Sequence, residues 1–150
     1  MQFTTTQICF LVLSNLVCLY PISILFYKLD VRLFLVVGLM LSSMFSHTLE
    51  NYRYKKNNKL NKIYLFFNSL DILFAVLIFI NMTHNIYILL GWRFFLILKF
   101  KLLIFVLIFI LTSLFRYKKI YYIYIHTLWH MYVFKLLGDI LYILYDNYPV

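Results

Sequence analysis

The stretch ICFLVLSNLVCLYPISILFY, residues 8–27, carries no Asp, Glu, Lys, Arg or His over its twenty positions. At about 1.5 Å of rise per residue, a helix of that length crosses the roughly 30 Å hydrocarbon core of a bilayer. Residues 1–7 lack a positive side chain and no small-residue cleavage site follows. The stretch is therefore expected to be a span rather than a signal peptide, kinked at Pro21. Cys9 and Cys18 both lie in it, about 13 Å apart along one helix, too far to form a disulfide.

Lipid is the solvent that the whole composition calls for. Of the 150 residues 65% are hydrophobic and mean hydropathy is +0.89, against about 45–50% apolar residues in a soluble domain. The net charge of +9 would suggest phosphate binding in a soluble chain. Here the cations gather between apolar runs, the pattern of membrane topology and anionic headgroups rather than of nucleic acid.

Outward from the first span, a second apolar run, residues 33–47, is bounded by Lys28, Asp30 and Arg32 on one side. The one long hydrophilic loop follows at 50–62, with Arg53, Lys55, Lys56, Lys59 and Lys62. The positive-inside rule places this loop, and with it the N-terminus, in the cytoplasm. A third run, residues 63–82, is interrupted by Asp71 and ends on Asn81-Met82-Thr83, a glycosylation sequon in form only, given its place at a helix end. Residues 85–115 are divided by Arg93, Lys99 and Lys101 into two apolar pieces, each shorter than the 17 or so residues of a span. Two arrangements fit. Two short tilted helices would make a hairpin, or one span over 96–115 would let Lys99 and Lys101 snorkel after an interfacial segment at Trp92 and Arg93. The last run, residues 120–144, follows Arg116, Lys118 and Lys119, and its Tyr121, Tyr122 and Tyr124 suit an aromatic belt. The expected fold is all-α: one transmembrane helical domain over 1–150, a multi-pass bundle of five or six spans.

Ionisable side chains inside lipid are costly and by default mark a site or a pair. In the spans these are Ser42, Ser43, Ser46 and His47, then Asn68 and Asp71, then His126, His130, Lys135 and Asp139, with the hydroxyls and the amide counted alongside. Lys135 and Asp139 are four apart and can neutralise each other. Asp139 lies about 180° around the helix from His130 and belongs to another face. His126 and His130, also four apart, put two imidazoles on one face, within reach of one metal ion. The same spacing also serves two histidines satisfied within a core. His47 is the natural third ligand, because the remaining histidine, His84, is expected in a turn at the far end of the third run. Ser43 precedes His47 by one helical turn, and Asp71 is the unpaired acid within a span, placed to hold a water and accept its proton.

Ser43-Met-Phe-Ser-His47, the lone Asp71 in the next span and His126-Thr-Leu-Trp-His130 in the last resemble the CREST superfamily of membrane hydrolases. That group includes alkaline ceramidases, progestin and adipoQ receptors and a phospholipase-like branch acting on glycosylphosphatidylinositol lipids, which the His-x-Leu-Trp-His form resembles most. The resemblance implies zinc on His47, His126 and His130, with Asp71 and Ser43 as catalytic residues, in a hydrolase that cleaves an amide or ester bond of a membrane lipid. It also leaves room for an inactive receptor or scaffold, and the residues alone for a structural multi-pass protein without metal. The superfamily has seven spans, two or one more than this chain has room for. Depth decides between five and six: His47, Asp71 and His126 meet only if the last span begins at the end where the second finishes, which five spans satisfy.

Overall fold

The computed structural model describes residues 3–52, 58–115 and 118–147; Arg53, Lys55, Lys56 and Arg116 lie outside them. The described residues are helical throughout, with no strand. The helices are α1 (Thr5–Leu13), α2 (Leu19–Tyr27), α3 (Leu33–Thr48), α4 (Lys59–Leu90), α5 (Arg93–Leu114) and α6 (Lys119–Asn147). A 3₁₀ stretch, Ser14–Cys18, joins α1 to α2, so that Thr5–Tyr27 is one rod of 23 residues.

Local chemistry explains where these elements start and bend. Thr4 and Gln7 form a capping box, Thr4 Oγ1 accepting from Gln7 N–H at 3.3 Å and Gln7 Oε1 from Thr4 N–H at 3.0 Å, which satisfies two otherwise orphaned amides. The kink expected at Pro21 is displaced. Pro21 sits buried in the first turns of α2, and the tightened turns lie on its N-terminal side. There Ser14 Oγ and Asn15 Nδ2 both donate to Leu11 O, at 2.7 and 3.0 Å, competing with the helical amides for that carbonyl.

The third run does not end at residue 82. α4 continues for 32 residues to Leu90, so Asn81, Thr83 and His84 are helical, His84 is exposed, and no turn forms there. The break comes at Gly91, with φ 53° and ψ −142°, a conformation that residues with a Cβ rarely adopt. From Arg93 a single 22-residue helix runs to Leu114. The hairpin of two short helices is not formed. Lys99 and Lys101 do not interrupt α5, because a lysine stem packs on apolar neighbours while its head finds a partner.

Five helical bodies result, and three of them, Thr5–Tyr27, Lys59–Ile88 and Ile120–Asp146, are long and apolar enough to cross a membrane. α3, with 16 residues, is about 24 Å long and lies inside the bundle against α1, α2 and α4. The core joins Leu25, Val36, Leu39, Ile78, Phe134 and Leu141. Many large apolar side chains point outward, Phe26, Phe34, Phe66 and Phe100 among them, far more than a water-soluble surface carries.

α6 runs antiparallel to α3. Its first turns meet the N-terminus, where the Phe3 and Tyr122 rings are 6.1 Å apart and Asn51 Nδ2 donates to Phe3 O at 2.9 Å. Its last turns meet the α2–α3 loop, where Tyr145 bonds Asp30 and accepts from Arg32 Nη2 at 2.8 Å. The end of α3, the start of α4 and the start of α6 therefore share one end of the bundle, the arrangement that the depth argument requires.

Candidate metal centre

His47, in the last turn of α3, faces His126 and His130, one turn apart on α6. The Nε2 atoms form a nearly regular triangle: 3.0 Å between His47 and His130, 3.2 Å between His126 and His47, and 3.0 Å between His130 and His126. Among the described residues these three are the group of His, Cys, Asp or Glu side chains that could hold a metal ion.

Three neutral imidazoles cannot satisfy such a triangle by themselves. Each Nε2 carries either one hydrogen or one lone pair, so at least one edge opposes two hydrogens or two lone pairs. A cation in the middle turns all three lone pairs into attractions. Zinc–nitrogen bonds of roughly 2.0–2.1 Å in tetrahedral geometry separate the nitrogens by about 3.3 Å, close to the spacing found. The residues present therefore fit a metal ion of that size.

The rings are held in place by their neighbours along α6. His126 stacks on Tyr122 (centroids 5.0 Å, planes at 20°) and His130 on Phe134 (5.7 Å, 27°), both partners being four residues away. His47 meets these two histidines edge-on, at 78° and 90°. His47 and His130 are buried and His126 is half-buried.

The hydroxyls around the triangle divide by what they bond. Ser42 Oγ donates to Leu39 O and Ser46 Oγ to Ser43 O, both at 3.1 Å, so both are absorbed by their own helix. Ser43 Oγ is completely buried and makes no hydrogen bond within its own helix. Asp71, half-buried on α4, is the acid that interacts with both Ser43 and His47. Ser43, His47, Asp71, His126 and His130 thus come to one neighbourhood of the bundle.

One further residue belongs to this neighbourhood. Glu50, 3% exposed, places Oε2 at 3.7 Å from His47 Nδ1, an ion-pair rather than a hydrogen-bond distance. With Nε2 turned to the triangle, Nδ1 is the nitrogen left to carry the ring hydrogen, and a carboxylate facing it fixes the tautomer and orientation. Glu50 had counted as the edge of the hydrophilic loop. Its spacing of three from His47 is the signal that could have found it.

Lys135 and Asp139 pair as their spacing suggests, Nζ to Oδ2 at 2.9 Å, and Lys101 joins them at 2.9 Å. They lie on the opposite face of α6 from the histidines. No family model matches this chain, and no curated protein or solved structure matches it.

Proposed function

We propose that the protein is a zinc-dependent intramembrane hydrolase of the CREST type that cleaves an amide or ester bond of a membrane lipid. The observation that carries this reading is the Nε2 triangle of His47, His126 and His130 with Asp71 and Ser43 beside it, in a chain whose helices suit a bilayer. In this proposal the helices cross the membrane five times.

Zinc held by the three histidines would polarise a carbonyl and lower the pKa of a coordinated water to near 7. The work of the chain is positional. Asp71 accepts the water's proton and returns it to the leaving group, and Ser43, with a hydroxyl not spent on its own helix, donates to the carbonyl oxygen as charge develops there. The buried rings of His47 and His130 keep bulk water from the ligands, while half-buried His126 marks the side on which a lipid arrives.

Orientation follows from charge. The connections from α3 to α4 and from α5 to α6, with the first turns of α4 and α6, hold Arg53, Lys55, Lys56, Lys59, Lys62, Arg116, Lys118 and Lys119, eight of the fourteen cations. The opposite end has Lys28, Arg32 and Arg93. By the positive-inside rule the end with the site, including the N-terminus, faces the cytoplasm.

The competing reading, a metal-holding receptor or scaffold without turnover, draws on the helix set, five bodies against seven in the superfamily. Purified protein given ceramide, phosphatidylcholine and a glycosylphosphatidylinositol lipid, with fatty-acid release followed by mass spectrometry, separates the two. Hydrolysis of one of them, reduced about 10²–10⁴-fold in Asp71→Asn with metal content retained, is the expected result. Bound metal with no release from any substrate would favour the receptor.

A further inference from the structure

The face of α6 turned away from the histidines carries a second cluster, Lys101, Lys135 and Asp139, whose charges do not balance. Both lysine Nζ atoms lie 2.9 Å from the same Asp139 Oδ2. The other four acids of the chain lie elsewhere. Asp30 is bound to Arg32 and Tyr145, Glu50 faces His47, Asp71 faces Ser43, and Asp146 lines a different groove beside Lys28. One positive charge is left over in the cluster: Lys135 reaches both Asp139 oxygens, at 3.2 and 2.9 Å, and Lys101 one, at 2.9 Å, and Lys135 is the lysine that lines the neighbouring groove, its side chain 66% exposed against 44% for Lys101.

In the spanning arrangement proposed above, the usual partners of a surface lysine lie far from Lys135. Lys101 and Lys135 both stand in the middle third of their helices, Arg93–Leu114 and Lys119–Asn147, whereas water and lipid phosphates lie outside the hydrocarbon core. A surplus positive charge there is costly, and such residues pair with an opposite charge inside the membrane. Beside the cluster an open groove of about 610 Å³ runs past Val17, Tyr20, Ile108, Leu128 and Met131. Its walls are apolar apart from the cluster, the Tyr20 hydroxyl and Tyr132, whose hydroxyl is already donating to Lys101 O at 2.8 Å.

We infer that this groove receives a transmembrane helix of a partner protein that carries a carboxylate at mid-span, answering Lys135. A second copy of this chain does not suit it, since its equivalent face brings the same surplus positive charge. Long apolar side chains of the partner fill the groove, and its acid completes a two-plus-two arrangement with Lys101, Lys135 and Asp139. The inference is independent of the hydrolase reading, because no residue of the metal centre takes part.

The probe is a 20-residue polyleucine helix with one central Glu, and its partners with Gln or Leu at that position, each carrying a fluorophore. Energy transfer to the labelled protein in phosphatidylcholine vesicles reads association. The Glu helix is expected to associate about tenfold more tightly than the Gln or Leu helix, in line with polar contacts between membrane helices. Lys135→Gln leaves Lys101 and Asp139 as a neutral pair, so the bundle keeps its packing, and it should abolish the preference while Lys135→Arg retains it. Equal association of the three helices, or a preference unchanged in Lys135→Gln, would overturn the inference. So would loss of the preference when phosphatidylglycerol is added, which would assign the charge to a lipid headgroup.

Discussion

The Glu50 carboxylate stands 3.7 Å from His47 Nδ1, and both side chains are almost fully buried. A buried acid facing the outer nitrogen of a ligand ring raises the basicity of that ring and holds its plane. Glu50→Gln should therefore weaken metal binding about 10- to 100-fold, the usual effect of removing such a partner, with the helical content unchanged. A competition titration against a chelator of known affinity checks it. An unaltered affinity would mean that Glu50 serves only the end of α3.

Gly138 lets α6 approach α2 closely. A Cβ there would lie 2.3 Å from Tyr20 Cδ1 and Cε1, a contact that no rotamer change of an alanine can relieve. Ala is the better helix former by about 0.8–1.0 kcal/mol, whereas overpacking costs about 1–3 kcal/mol. Gly138→Ala is expected to lower thermal stability in detergent, and a rise would show that Tyr20 swings aside freely.

The loop between α2 and α3 is clasped to the end of α6 through Asp30, Arg32 and Tyr145. Burial pushes the Asp30 carboxyl up, but the hydrogen bonds from Arg32 and Tyr145 and the Arg32 charge outweigh it and bring it from 3.8 to about 2. A carboxyl with a depressed folded pKa stabilises above its unfolded value and loses that contribution as pH falls through the folded one. The stability difference between the wild type and Asp30→Asn should be constant above about pH 5 and shrink between about pH 4 and pH 2. Comparing the two proteins at each pH cancels titrations elsewhere, and a difference that does not change with pH would show that Asp30 titrates normally.

Sequence periodicity found what depends on one helix and missed what depends on two. The spacing of His126 and His130 declares a shared face, and the apolar run of residues 8–27 declares its length. Lys99 and Lys101 read as interruptions because the partner of Lys101, Asp139, is 38 residues away along the chain, while Lys99 lies over the ring of Phe100. Thr83, His84 and Asn85 read as a turn because they are polar. In α4, Asn85 Nδ2 donates to Asn81 Oδ1 at 3.0 Å, which lets the helix continue to the glycine that ends it. Glu50 escaped notice because it follows the last regular turn of α3, where a carboxylate is read as part of the loop. The meeting of His47 with the other two histidines was expected from depth and the family resemblance rather than from any local pattern.

Metal analysis of the detergent-purified protein tests the central claim most directly. The account predicts about one zinc per chain, as three histidines with an open fourth position hold it, and its loss in His126→Ala while His84→Ala keeps it. Protein that purifies without metal and takes up none on zinc titration, or a His126→Ala variant with undiminished zinc, would contradict it.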